Sequence, residues 1–156
     1  MKISEHLTYF SLRIFSFIVG HLPRKITIKF GILLGMIIES TLKTRYDVAL
    51  RNISIAYPDL PINEQKQLLI KTYRHFGIVL MDFFRLPYLN NNNINNIIKF
   101  EDDSLELLKK YSKGIVMTAH YGNWEMILPS FNLNNVHLTT ITQEQKNKGA
   151  NKFFTW

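Results

Sequence analysis

The sequence predicts an α/β fold, in which a mainly parallel sheet flanked by helices follows an N-terminal helical segment that attaches to a membrane. Three runs of apolar and β-branched residues, at 97–100, 115–119 and 136–142, are typical of strands. A helical pattern over 105–112 separates the first two runs, and this order indicates a βαβ unit with a right-handed crossover. The apolar region 7–38 precedes them all.

Length and composition limit the class of protein. The chain has 156 residues, of which 46% are apolar and 13% aromatic, so it can bury the core of one domain and is not disordered. It contains no cysteine, which excludes a disulfide framework and an acyl-cysteine intermediate and fits a reducing compartment.

The positive charge is concentrated in the first two thirds of the chain. Residues 1–100 contain 13 Lys/Arg and 6 Asp/Glu, whereas residues 101–156 contain 6 of each, so the whole net charge of +7 lies upstream. Basic residues among apolar segments favour an anionic membrane surface or an acidic partner. Zinc-ligand spacing, an RNP-type motif and a dense basic helix are all lacking, so we do not expect nucleic acid as a partner.

Two apolar runs, 7–22 and 26–38, are separated by Pro23 and interrupted by Arg13 and Lys29. Neither run reaches the roughly 18 uninterrupted apolar residues of a typical membrane span. No small-residue cleavage site of a signal peptide follows the first run. We expect a membrane anchor, either one short tilted span or two helices lying in the interface, and a pair of packed core helices is the alternative.

We therefore predict two parts, a membrane-anchoring helical segment at 1–39 and a domain at 40–156. Within the second part, Asn63 is the predicted N-cap of a long helix that extends to about Phe84. Its apolar positions recur at intervals of four, three, four and four, which indicates one buried stripe, made up of Leu69, Tyr73, Phe76, Leu80 and Phe84. The asparagine-rich stretch 90–96 is expected to be a loop.

The stretch 114–125 carries the predicted chemistry. His120 stands where the predicted strand ends, Gly122 supplies a turn, and Asn123 is suited to cap the helix that follows. The turn would fold Glu125 over His120, so that the carboxylate holds one ring nitrogen and leaves the other free as a general base for a hydroxyl group. Backbone N–H groups beyond Gly122 are candidates for an oxyanion site.

From the residues alone, a structural role for His120 and Glu125 stays open, because histidines at strand ends are usually structural. A metal site is not expected. The spacing His-x-x-x-x-Glu differs from the His-Glu-x-x-His pattern of zinc ligands, and no second histidine is placed to complete a site.

The block from His120 to Glu125, His-Tyr-Gly-Asn-Trp-Glu, resembles the His-x-x-x-x-Asp/Glu block of membrane glycerolipid acyltransferases. In this form, after an apolar strand, it is most similar to the lipid A biosynthesis acyltransferases. The resemblance implies that a fatty acyl chain passes from acyl carrier protein to a hydroxyl of a lipid A precursor, with His120 and Glu125 catalytic and Gly122 and Asn123 shaping the pocket. It implies no cofactor besides the acyl-carrier donor substrate, and it places the protein at the cytoplasmic face of the inner membrane, in contact with membrane lipids.

The similarity continues after the third predicted strand. Lys146 and Asn147 match part of a family stretch that ends in Lys-Asn, but Gln143 and Glu144 replace its basic residue and proline. Lys146 is expected to meet a substrate phosphate or the carrier's phosphopantetheine, and a solvated loop lysine is the alternative.

The chain resembles only the N-terminal half of the family domain, and the aromatic residues Phe153, Phe154 and Trp156 are expected to lack a covering element. Two other functions stay open, namely an acyltransferase with another phospholipid or glycolipid acceptor and a truncated, non-catalytic membrane-bound remnant.

Overall fold

The computed structural model describes residues 1–41, 43–111 and 113–155, and its regular elements there are helical. The eight α-helices in those ranges are α1 (Ile3–His21), α2 (Arg24–Thr41), α3 (Lys43–Ala56), α4 (Ile62–Arg85), α5 (Asn91–Ile94), α6 (Ser104–Lys110), α7 (Ile127–Leu133) and α8 (Lys148–Phe154). Two short 3₁₀ turns, Leu86–Tyr88 and Trp124–Met126, precede α5 and α7.

The predicted parallel sheet is wrong, because the described residues contain no strand. The segments 97–100, 115–119 and 136–142 lie in turns and irregular backbone. A strand is stable only when its N–H and C=O groups pair with a neighbour, and β-branched side chains cannot supply that pairing. No backbone group of residues 115–118 or 138–144 bonds to other backbone within the described ranges. The fold class is therefore helical.

The predicted helices are largely confirmed. The two apolar runs form α1 and α2 on either side of Pro23, and the long helix exists as α4. Helix α4 begins at Ile62, so Asn63 lies inside it and is not its N-cap. The predicted helix 105–112 is α6, which ends at Lys110; Ser112 lies outside the described residues.

The asparagine-rich stretch 90–96 was expected to be a loop, and that expectation is wrong for residues 91–94. The side chain of Asn90 accepts a hydrogen bond from the N–H of Asn92, and the side chain of Asn93 accepts one from the N–H of Asn90. This reciprocal capping starts the short helix α5, and Ile94 at its end is fully buried.

The chain divides into two compact units, residues 22–82 and residues 1–21 together with 83–156. In the first unit, α2 and α4 meet through glycines. A Cβ added at Gly31 would lie 2.7 Å from the Cα of Ile78, and one added at Gly77 would overlap the carbonyl oxygen of Gly31. The two backbones touch here, so only glycine fits.

The same unit also holds α4 by polar contacts. The guanidinium of Arg24 donates to the buried carboxylate of Asp82 at 3.0 Å. The buried side chain of Gln65 donates to the carbonyl of Leu60 at 2.8 Å and accepts from the hydroxyl of Ser54 at 2.5 Å. These bonds fix the turn between α3 and α4 without leaving the amide of Gln65 unsatisfied.

In the second unit, α1 packs on α8 and on the end of α4. The hydroxyl of Ser16 donates to the carbonyl of Phe84 at 2.7 Å, and the guanidinium of Arg85 donates to the carbonyl of Val19 at 2.9 Å. Near the start of α1, the backbone of Glu5 lies so close to Gly149 that a Cβ there would overlap its carbonyl oxygen.

Of the two aromatic residues at 153 and 154, Phe153 is covered, contrary to expectation, whereas Phe154 stays exposed. Phe153 is buried and lies 5.8 Å from Phe84 between ring centroids, and Phe154 lies 5.4 Å from Phe83. Trp156 is outside the described residues. The end of α4 therefore supplies the covering surface that the sequence did not reveal.

Helices α1 and α2 each place small or polar residues inward and large apolar residues outward. Helix α1 buries Ser16 and Val19, and α2 buries Thr27, Gly31 and Gly35. The exposed stripe of α1, spaced at four and three residues, consists of Ile3, Leu7, Phe10, Ile14 and Phe17, and that of α2 of Ile26, Phe30, Leu33 and Ile37. Among the described residues, none of the helices has the length and apolar character needed to span a bilayer.

Candidate functional site

A tight turn follows the irregular segment 113–120. The N–H of Tyr121 donates to the carbonyl of Ala119 at 2.8 Å, and Gly122 has a φ of +58°, in the left-handed region that glycine adopts without strain. The N–H of Met126 then bonds to the carbonyl of Asn123 at 3.2 Å, which opens the 3₁₀ turn. This turn leads into the 3₁₀ turn and α7, so a turn and a helix follow His120 as the sequence predicts, but His120 does not end a strand.

Asn123 occupies the position before the 3₁₀ turn, but its side chain makes no capping hydrogen bond to that turn. Asn123 therefore occupies the predicted N-cap position but does not make the predicted capping hydrogen bond. Pro129 lies in the first turn of α7, where a missing N–H has little cost, and α7 is only seven residues long.

His120 is exposed, and its imidazole lies against the indole of Trp124 with ring centroids 5.0 Å apart. Glu125 is half-buried on the 3₁₀ turn. Among the hydrogen bonds and ion pairs of the part of the chain that is described, none joins His120 to Glu125. The structure thus places the two residues one turn apart and brings the imidazole to the indole instead.

A cavity of about 530 Å³ opens beside His120. It is bordered by the irregular segments 113–120 and 137–140 and by the start of α7. Trp124, Ile127 and Leu128 form the helical wall. The side chains that complete the lining are those of Lys113, Ile115, Val116, Thr118, Ala119, His120, His137, Leu138, Thr139 and Thr140. Glu125 is not part of this lining.

Lys146 and Asn147, the predicted substrate-binding pair, lie at a separate cavity of about 340 Å³. The side chain of Asn147 accepts hydrogen bonds from the N–H groups of Gly149 at 2.9 Å and Ala150 at 3.0 Å, so it caps α8. Lys146 is exposed. The structure does not bring this pair to the cavity that His120 lines.

No group of three or more His, Cys, Asp or Glu residues that could hold a metal ion occurs in residues 1–41, 43–111 and 113–155. The side chains at the cavity are imidazoles, hydroxyls, one ammonium group, one indole and aliphatic groups. This set can take up a proton from a hydroxyl group and can accommodate an apolar chain.

Comparison with known families gives one match. The family model of the bacterial lipid A biosynthesis acyltransferases matches residues 2–156, which is almost the whole sequence. The chain belongs to this family. Comparisons with curated proteins and with solved structures gave no match. Membership identifies the chain as a lipid A-type acyltransferase in general terms and confirms the resemblance seen in the block from His120 to Glu125.

For this lipid A-type acyltransferase, sequence reasoning selected His120 but missed three residues that share its surroundings. Trp124 contacts the imidazole, and Lys113 and His137 line the same cavity. The four-residue spacing from His120 to Trp124 across a glycine turn was the available signal for the first. Lys113 and His137 are distant in sequence, and only the fold shows that they lie at one cavity.

Proposed function

We propose that this family member transfers a fatty acyl chain from acyl carrier protein to a hydroxyl group of a lipid A precursor, at the cytoplasmic face of the inner membrane. One observation carries the proposal: His120, in the block that resembles the family, lines a cavity together with several aliphatic side chains and the indole of Trp124. A cavity of about 530 Å³ falls within the usual range of small-molecule sites. Its apolar walls suit an acyl chain next to a proton acceptor.

In the proposed reaction, a ring nitrogen of His120 takes the proton of the acceptor hydroxyl as its oxygen attacks the thioester carbonyl. The tetrahedral intermediate then collapses, the C–S bond breaks, and the imidazolium returns the proton to the thiolate of the carrier. The products are an ester and a free thiol. The thioester is activated already, so the reaction needs no metal or redox partner.

Two neighbours would stabilise the imidazolium that forms during this reaction. The indole of Trp124 is 5.0 Å away, and aromatic faces attract cations at that range. Glu125 lies one turn further along, and the glycine at 122 permits the backbone adjustment that would bring its carboxylate to the ring when substrate binds. Catalytic hydrogen bonds often tighten only in the substrate complex. The N–H groups of Gly122 and Asn123 would shape the oxyanion side.

Membrane attachment is supported by the outward stripes of α1 and α2. Soluble helices bury their large apolar residues, whereas these two bury serine, threonine, glycine and one valine and expose isoleucine, leucine and phenylalanine. Lys25 and Lys29 lie at one edge of the α2 stripe and suit anionic lipid head groups. We propose that each stripe lies in the interface, where it would meet lipid acceptor and membrane lipids.

The test is an acyl-transfer assay with the purified chain in anionic vesicles, using labelled acyl carrier protein and a lipid A precursor. We expect product from the wild type and a loss of about 10²–10⁴-fold in rate for His120→Ala. Glu125→Gln should also lose activity, and the double variant should be barely slower than His120→Ala, because residues that act as a unit are not additive. His75→Ala is the matched control, since His75 is an exposed histidine of α4.

The same assay separates the alternatives. Product with a lysophospholipid or glycolipid and none with the lipid A precursor would change the acceptor but not the mechanism. Normal turnover by His120→Ala would show that His120 is not the general base. If the folded wild-type chain binds vesicles but forms no product with any acceptor, the chain is a non-catalytic membrane-binding remnant.

A further inference from the structure

Two basic side chains at the cavity take no part in the proposed proton transfer. Lys113 lies at the start of the segment that leads to His120, and His137 lies after α7. Both side chains are exposed, and both line the cavity that His120 lines. They come from parts of the chain 24 positions apart, so their meeting at one cavity is a property of the fold.

The charge of the cavity is one-sided. Its lining, over the residues that are described, includes one lysine and two histidines but neither aspartate nor glutamate. The same lining includes the aliphatic side chains of Ile115, Ile127 and Leu138. A ligand that matches both features has an anionic head and an apolar chain.

We propose that Lys113 and His137 form an anion subsite of this cavity that holds a phosphate group of one of the two substrates. That the ligand is a substrate rests on the proposed function. The preference for an anionic amphiphile follows from the lining residues alone. A phosphate monoester carries up to two negative charges and three acceptor oxygens, so it can engage an ammonium group and an imidazole from different segments together. Thr139 and Thr140 also line the cavity, and their hydroxyls can donate to the remaining oxygens.

A binding experiment tests the subsite without requiring turnover. The full chain carrying Trp156→Phe, which leaves Trp124 as its single tryptophan, is titrated with dodecyl phosphate below its micelle concentration, and the indole fluorescence at the cavity wall is followed. Dodecanol, which has the same chain and no charge, is the matched ligand. We expect Lys113→Gln and His137→Gln each to raise the Kd for dodecyl phosphate about tenfold, the scale of one charge-assisted hydrogen bond, and to leave that for dodecanol unchanged.

Control variants make the outcome specific. Lys109→Gln removes an exposed lysine of α6 outside the cavity and should leave both Kd values unchanged, and Lys113→Arg should retain phosphate binding. If Lys109→Gln weakens dodecyl phosphate binding as much as Lys113→Gln does, the effect comes from general surface charge and the subsite proposal is overturned. Unchanged phosphate affinity in both glutamine variants, or equal losses for phosphate and alcohol, would also overturn it.

Kinetics then identify which substrate supplies the phosphate. If Lys113→Gln raises the KM of a phosphorylated acceptor but not of its dephosphorylated form, the acceptor occupies the subsite. If it raises the KM of the carrier-bound donor but not of an acyl N-acetylcysteamine thioester, which lacks phosphate, the donor's prosthetic arm occupies it. Absence of turnover in the wild type would refute the proposed function and leave the Kd comparison to decide the subsite.

Discussion

Arg24 and Asp82 form an ion pair of 3.0 Å whose two partners differ sharply in their access to water. The carboxylate of Asp82 is 2% exposed, whereas the side chain of Arg24 is 40% exposed. The pair joins the first residue of α2 to the last part of α4 inside residues 22–82. Removal of the Arg24 guanidinium should therefore lower the free energy of unfolding by a different amount from removal of the Asp82 carboxylate.

We expect Arg24→Met to destabilise the fold by about 3–5 kcal/mol, because it leaves a buried carboxylate without its guanidinium. Asp82→Asn should cost only about 1–2 kcal/mol, because Arg24 can turn to water. The double variant should be more stable than Arg24→Met alone. Thermal melts of the wild type, the two single variants and the double variant measure these changes in stability. Equal losses of stability in the two single variants would show that burial of Asp82 does not determine the difference.

The glycine contact between α2 and α4 predicts intolerance of a single methyl group. Gly77→Ala would place a carbon atom against the carbonyl of Gly31 and 2.7 Å from the N of Gly35. Overpacking of this kind costs about 1–3 kcal/mol. Gly114→Ala is the control, since no atom outside its neighbours lies within 4 Å of a Cβ there. The midpoints of urea unfolding of the two variants are compared with that of the wild type. An unchanged midpoint for Gly77→Ala would contradict the close approach of the α2 and α4 backbones.

The outward stripe of α1 predicts its role at the membrane. Phe10→Asp or Ile14→Asp should weaken binding to anionic vesicles by about tenfold or more, because burial of such a side chain contributes about 1.5–3 kcal/mol. Ile55→Asp changes an equally exposed residue of α3 and should have no effect. Sedimentation with vesicles gives the bound fraction. If only added salt releases the wild type, the attachment is electrostatic and the stripe is not inserted.

Glu5 predicts an acid-sensitive contribution to stability. Its carboxylate accepts a hydrogen bond from the backbone N–H of Lys2 at 2.6 Å, and this bond, supported by one from the backbone of Lys148, lowers the pKa of Glu5. A lowered pKa in the folded state stabilises the fold above the unfolded-state pKa, and this contribution is lost as the pH falls through the lowered pKa. Glu5→Gln should therefore lower the Tm near neutral pH and have no effect in acid. Glu101→Gln, another exposed carboxylate, is the control, and a pH-independent loss would indicate packing.

The unpaired irregular segments predict fast amide exchange. Amides of residues 115–118 and 138–144 make no backbone hydrogen bond within the described ranges, whereas those of α4 lie in a helix of 24 residues. Hydrogen–deuterium exchange should show the two segments unprotected and the middle of α4 protected. Strong protection at Val116 or Thr140 would mean that these segments pair as strands in solution.

The helices were predictable because their signals are local. The two apolar runs around Pro23 predict α1 and α2, and the four-and-three spacing of apolar residues predicts α4, each within a few residues. The buried face of α4 was predicted only in part: Leu69 is fully buried, but Phe76 is exposed, because contact with α2 buries Gly77 instead. The strand predictions were wrong because β-branched runs indicate only a preference for extended backbone, whereas a β-ladder also needs a partner strand.

At the site, the turn before α7 was predictable from Gly122 and Asn123, whereas the strand that His120 was expected to end is absent from the described residues. The contact between His120 and Trp124 and the gathering of Lys113 and His137 were not predictable, because both depend on how distant segments pack. The contact of His120 with Glu125 and the roles of Lys146 and Asn147 in binding stay predictions.

The contact of α1 with α8 has a consequence for the order in which the protein forms. Residues 22–82 are continuous, so that unit can fold once they have left the ribosome, but the other unit needs Glu5 to meet Gly149. At ~5–20 residues per second, synthesis to that point takes roughly 7–30 s. Until then α1 can bond to the end of α4 through Ser16 and Val19 but lacks its contact with α8. A nascent chain with α1 already on a lipid surface would complete its second unit there.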